Sequence, residues 1–206
     1  MQQLYTIGHS NHEVDVFLSM IQKYSINCVV DVRSVPASAH TPQFNKDTFS
    51  IFLRRNGIYY LHFGLEFGAR RYDCVDDKGQ VNFEMAIKTE AFQQGVSRIM
   101  DGLNKNMTIS LMCSEADPLS CHRFALVARY FYEHNTPVLH ILKDSSTKTH
   151  EALQQEMIDF YIKKKKISEV DRMFNTYSEQ EQIIDAYKRK NEEIGFKLEL
   201  AEQEIW

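Results

Sequence analysis

The chain has 206 residues, 43% of them hydrophobic, enough to bury one substantial core with a small appendage. A formal charge of −4 gives no overall attraction to nucleic acid or an anionic membrane, so polyanion binding would need a local basic patch. No apolar run approaches the roughly 20 residues of a membrane span.

Met1-Gln2-Gln3-Leu4-Tyr5 lacks the basic and apolar regions of a signal peptide. Leu4-Tyr5-Thr6-Ile7 reads as a short strand closed by Gly8. Asn11 stands where a cap is expected, ahead of Val14, Phe17, Leu18 and Ile21 at amphipathic-helix spacing. The β-branched run from Ile26 to Val32 predicts a central parallel strand buried on both faces. Asn45 is placed to cap a second helix carrying Phe49, Phe52 and Leu53, which Gly57 stops. Ile58 to His62 predicts a third strand. After a stretch with Gly64, Gly68 and Gly79, a helix is expected from about residue 84 to residue 103. A strand over Met107 to Met112, a helix over Phe124 to Phe131 and a strand over Pro137 to Leu142 complete the series.

Five strands joined by helices of this length imply right-handed crossovers. The expected fold is a single α/β domain over residues 1–150, Rossmann-like, with a mostly parallel sheet of about five strands covered by helices on both faces. Beyond Lys143 the composition turns to mixed charge, with lysines at 163–166 beside Glu169 and Asp171, and Ser178 and Glu181 form a possible capping box. Residues 151–206 are therefore expected to be a charged helical C-terminal extension packed on the domain or on a partner. Four cysteines do not make a disulfide framework, and a reducing cytoplasm is the expected compartment.

The segment richest in chemistry is Cys113-Ser114-Glu115-Ala116-Asp117-Pro118-Leu119-Ser120-Cys121-His122-Arg123, a strand-to-helix connection of the kind that binds ligands in open α/β sheets. The other strand ends carry Gly8-His9-Ser10, Asp31-Val32-Arg33 and His62. In a parallel sheet these ends share one edge, so His9, Asp31, Arg33, His62, Cys113 and Glu115 should meet at one rim. Burying Asp31 within Val-Val-Asp-Val-Arg costs several kcal/mol unless it is paired. A buried Asp–Arg brace tying two loops is the plain alternative to a functional role.

Several of these segments resemble one family in order. Thr6-Ile7-Gly8-His9-Ser10, Val30 to Ser38 and Pro42-Gln43-Phe44-Asn45-Lys46 look like its N-terminal signature, and Phe67-Gly68-Ala69-Arg70-Arg71 like its Leu-Gly-Gly-Arg segment. Cys113 to Pro118 with Cys121-His122-Arg123 resembles its hallmark, and Val138-Leu139-His140-Ile141 its closing strand. The family is domain of unknown function 488, and the resemblance runs from residue 4 to about residue 150. It implies a compact α/β domain common in bacteria, with no settled activity to carry over. Ala69 departs from the family's second glycine, and Ala39-His40 stands where basic residues often occur.

Three chemistries compete for the rim. In the first, Arg33, Arg70, Arg71, His122 and Arg123, with Ser10, bind an anion, and Asp31, Glu115 or His9 moves a proton. The substrate would be a phosphorylated small molecule or nucleic-acid-related, and the lack of a Gly-rich phosphate loop disfavours an ordinary triphosphate hydrolase. In the second, Cys121 is a nucleophile whose thiol pKa is lowered by His122 and Arg123. In the third, Cys113, Cys121 and His122, with His9 as a further candidate ligand, hold a metal, although their spacing matches no common structural zinc site. A binding module without turnover would use the same arginines, Lys163 to Lys166, and stacking rings such as Tyr59 and Tyr60. His140 reads as a satisfied core histidine and His150 as a weaker ligand candidate still. The leading expectation is an intracellular enzyme, with cofactor and oligomeric state undetermined by the sequence.

Overall fold

The computed structural model describes residues 3–164, 173–174 and 177–198. Lys165, Lys166, Glu169 and Asp171 lie outside the described residues. Strands β1 (Leu4–Gly8), β2 (Cys28–Asp31), β3 (Tyr59–His62), β4 (Ile109–Cys113), β5 (Val138–Ile141) and β6 (Thr147–Thr149) form one sheet in the order β3-β2-β4-β1-β5-β6. The first five run parallel, and β6 pairs antiparallel to β5 at the edge. The expected mostly parallel α/β sheet is present. The sixth strand escapes periodicity because Thr147-Lys148-Thr149 is short, polar and has no alternation to read.

Alternation along the buried strands divides the core. Ile7, Val29, Met112 and Ile141 pack with Phe17, Met20 and Ile21 of α1 (Val14–Lys23) and with Phe49 and Leu53 of α2 (Lys46–Arg55). Cys28, Val30, Ile109, Leu111 and Cys113 face the opposite layer. That layer contains the short helices α3 (Gly64–Phe67) and α4 (Phe83–Ala86), α5 (Glu90–Asn104), and a π-helical turn over Arg123–Ala128 that continues as α6 (Arg129–Glu133). Helices α7 (His150–Lys163) and α8 (Glu179–Ile194) complete it, contributing Leu153, Met157, Tyr161, Ala186 and Tyr187 to the same core. Helices α7 and α8 of the expected extension thus pack on the sheet's helical layer. Ser178 and Glu181 form the expected capping box at the start of α8.

Local chemistry explains the differences in helix ends. The stretch expected as one helix breaks at Thr89, whose Oγ1 accepts from the Phe92 amide and starts α5 afresh. Glu13, rather than Asn11, precedes α1, since Asn11 Oδ1 accepts from Ser10 Oγ instead. Asn45 occupies the cap position of α2, but its Oδ1 accepts from the Ser38 amide 2.7 Å away and so pins the preceding loop. No helix among the described residues is long and apolar enough to cross a membrane.

His140 and His150 are core histidines. Thr6 Oγ1 lies 2.8 Å from His140 Nδ1, His140 Nε2 lies 3.1 Å from His150 Nδ1, and Tyr187 Oη lies 2.8 Å from His150 Nε2. Burial lowers both pKa values, that of His150 to about 3. Both rings are then neutral in the fold but protonate in the unfolded chain below about pH 6.5. Stability therefore falls as pH drops below that value, by about 1.4 kcal/mol per pH unit for each ring. His150→Gln should remove one ring's share of this slope between about pH 6.5 and 5, before most carboxylates titrate. Urea midpoints across that window check this, and parallel pH profiles for variant and wild type would refute it.

Candidate functional site

At the carboxyl end of the sheet the chain binds its strand ends together past the strands themselves. The His9 amide donates to Cys113 O and the Ser10 amide to Ser114 O, extending the β1–β4 pairing into both loops. Ser10 adopts a left-handed backbone with φ 49°, costly for a non-glycine residue and set where the chain turns off the sheet. Gly8 has no side chain because the Glu115 carbonyl passes directly over its Cα.

Two clusters occupy this rim. The first is centred on Asp31, which is fully buried. Its carboxylate accepts from Arg33 Nε at 2.9 Å, Arg33 Nη2 at 2.6 Å, the Arg33 amide at 3.1 Å and Tyr60 Oη at 2.6 Å. Arg33 Nη2 also donates to Phe44 O, and Nη1 lies 3.1 Å from His9 Nε2. The His9 ring stacks on Phe44 at 4.4 Å, and burial, with the Arg33 charge beside it, lowers its pKa to about 4. His9 is therefore neutral and accepts from Arg33. All polar atoms of the Arg33 guanidinium face protein partners, as in the buried Asp–Arg brace. His62 joins from β3, its Nε2 2.8 Å from Arg33 O.

The second cluster gathers both thiols of the β4–α6 connection. Cys113 Sγ and Cys121 Sγ each lie 3.8 Å from His122 Nδ1, and Cys113 Sγ donates to Glu115 Oε2 at 3.2 Å. His122 Nε2 lies 3.1 Å from Val32 O, and the Arg123 amide donates to Cys121 Sγ. A carbonyl only accepts, so the proton sits on Nε2 when the imidazole is neutral and the Nδ1 lone pair faces the sulfurs.

Burial opposes ionisation of Cys121. The hydrogen bond with Cys113 and the charges of Arg123 and His122 outweigh it and hold this thiol well below its ordinary range. Cys113 is pushed well up by its hydrogen bond to Cys121 and by burial, so it is the thiol that keeps its proton. Burial would lower His122, but the neighbouring Cys121 charge raises it overall. The Glu115 carboxyl is raised first by burial of its inner end and then by Cys121. Its outer surface is exposed, which makes it the cluster's contact with solvent.

The arginines expected at the rim take different positions. Arg123 is fully buried, with Nη1 donating to Glu115 O at 2.6 Å and Nη2 to Ala116 O at 3.1 Å, so it fastens the loop that carries Glu115. Arg71 is buried away from the two clusters, bonded to Asp73, Thr89 Oγ1 and Glu66 O beside α3 and α5. Arg70 is exposed, tied to the β2 end by its amide, which donates to Ser34 Oγ, and its guanidinium lies over the Phe196 ring.

The sequence signature Domain of unknown function DUF488 matches residues 13–130, more than half of the chain. The chain belongs to the DUF488 family. No curated protein and no solved structure matches it. The DUF488 match ends just beyond the cysteine connection, so both clusters lie within it except for His9 and Ser10. Tyr60 and Phe44 belong to the first cluster but were not expected there. Tyr60 pairs with Val29 across the sheet, two positions before the Asp31–His62 pair. That register would have aimed it at Asp31 had strand pairing been readable from the sequence.

Proposed function

We propose that the carboxyl-end rim is the active centre of an enzyme acting on a phosphorylated or nucleic-acid-related substrate. The observation that carries this reading is the cluster of Cys113, Glu115, Cys121 and His122, where reactive groups converge and a carboxylate reaches solvent. Glu115 is the proton-moving group, and exposed Arg70, hung from the neighbouring β2 end, supplies the contact to substrate anion. His9, Asp31 and Arg33 act as positioning residues, since their polar atoms are directed to other protein groups, and Arg123 does so through its two Nη groups, which hold Glu115 O and Ala116 O. Ser10 borders the clusters at the strained turn, and His122 lies within the second, between the sulfurs and β2.

The test is thermal unfolding with inorganic phosphate, nucleotides, sugar phosphates and short oligonucleotides. A ligand at a hundred times its dissociation constant adds about 2.7 kcal/mol, a visible rise in midpoint. The rise should vanish in Arg70→Ala and persist in Glu115→Gln, while conversion of the bound compound, followed by mass spectrometry, should stop in Glu115→Gln. Shifts without conversion by the wild type would instead identify a nucleotide or nucleic-acid binding module. A flat panel would refute both.

A further inference from the structure

We propose that Cys113 Sγ, Cys121 Sγ and His122 Nδ1 are three ligands of a zinc ion. The three donor atoms lie within 4.8 Å of one another, and all three residues are buried. Each sulfur is 3.8 Å from the ring nitrogen, long for a thiol hydrogen bond. A tetrahedral zinc bonded to sulfur at about 2.3 Å and to nitrogen at about 2.0 Å holds those atoms about 3.5 Å apart. Each sulfur thus has a few tenths of an ångström to close on the ring nitrogen for the cluster to receive an ion.

Independent geometry supports the donor set. The bond from His122 Nε2 to Val32 O turns Nδ1 toward the sulfurs as an unprotonated donor, the backbone-carbonyl support typical of metal-bound histidine. The Arg123 amide points at Cys121 Sγ and favours a thiolate there. Two thiolates and one imidazole suit zinc over the hard cations magnesium and calcium. Sequence spacing alone argues against a structural zinc motif, because eight positions separate Cys113 from Cys121 and the histidine follows at once. The β4–α6 connection removes that objection by folding back so that the residues meet above β2.

Three protein ligands leave a fourth position open, as in catalytic zinc sites. When the ion binds, Cys113 gives up the proton it shares with Glu115, and that proton leaves to solvent. The Glu115 carboxylate, 3.2 Å from Cys113 Sγ, is then left without that hydrogen bond. This deepens the reading of the rim as an active centre and rests on it for the ion's role, although binding is measurable without any activity.

The experiment uses the full-length protein, reduced and stripped with a chelator, then titrated with Zn²⁺ against a chromophoric competitor and separately with Co²⁺. One equivalent of each should bind, and Co²⁺ should show a thiolate charge-transfer band with the intense visible absorption of a four-coordinate ion. Cys121→Ser should weaken binding by more than about 100-fold, since even changes to supporting residues cost 10–100-fold. Cys74→Ser, remote from the cluster, should leave it unchanged. Failure to bind stoichiometric Zn²⁺, a Co²⁺ spectrum without a thiolate band, or retained affinity in a folded Cys121→Ser would overturn the proposal. If Cys121→Ser does not fold, the wild-type cobalt spectrum decides alone. Phosphate-panel shifts that persist without zinc binding would remove the metal and leave the rim reading intact. Zinc binding with a flat panel, with and without the metal, would do the reverse.

Discussion

Asp31→Ala should destabilise the fold by about 3–5 kcal/mol, the usual cost of removing one partner of a buried ion pair. The total stability of such a domain is only about 5–15 kcal/mol, so the variant should be close to unfolded at physiological temperature. Asp31 is wholly buried and Arg33 is 5% exposed, so the surviving guanidinium could not regain its water without opening the rim. The loss also strands Tyr60 Oη, which donates to the same carboxylate. A paired change separates this cost from the worth of the pair itself. Asp31→Leu combined with Arg33→Met should recover much of the loss, because an apolar pair of similar size carries no desolvation penalty. Chemical denaturation of the three proteins checks the argument. A loss below about 1 kcal/mol in Asp31→Ala would show that the pair is solvated and that the brace does not hold the rim.

The sheet was legible because buried parallel strands leave continuous apolar runs and their connecting helices leave 3.6-residue spacing. The rim followed from the sheet, since parallel strands place their carboxyl ends together whatever the side chains do. The sequence could not show which polar groups would be used up inside the protein. Arg33 and Arg123 look like anion ligands in one dimension, yet Phe44 O accepts from Arg33 Nη2, and Glu115 O and Ala116 O accept from the two Nη groups of Arg123, and those carbonyls leave no mark on the sequence. Arg70 and Arg71 are neighbours in the chain but differ completely in exposure, because Arg71 finds Asp73 and Thr89 and Arg70 does not. Cys113 and Cys121 were recognisable as reactive candidates. Their meeting around one imidazole nitrogen depends on the fold-back of the intervening loop, which no spacing rule anticipates.

That fold-back depends on Gly8, and Gly8→Ala should cost about 3 kcal/mol or more, at the upper end of overpacking penalties. A Cβ built there would stand 2.7 Å from the Glu115 carbonyl carbon and 3.2 Å from Ala116 Cα, with the carbonyl oxygen closer still. These are backbone atoms, so no side-chain rotation relieves the clash. They are also fastened from the other side, because Arg123 donates to both Glu115 O and Ala116 O. The loop must move as a unit, drawing Glu115 away from Cys113 and weakening the ladder that joins His9 and Ser10 to it. A glycine whose only constraint is its backbone angle makes the control. Gly57 has φ 74° with nothing within 4 Å of an added Cβ, so Gly57→Ala carries only local strain of about 1 kcal/mol. The two variants should differ further in chemistry, since displacement of the loop uncovers Cys113 and Cys121. Gly8→Ala should react with a thiol reagent under native conditions much faster than wild type, and Gly57→Ala should not. Wild-type stability and unchanged thiol reactivity in Gly8→Ala would mean that the β4–α6 loop is free to shift, and the close spacing of the cluster would then owe nothing to this contact.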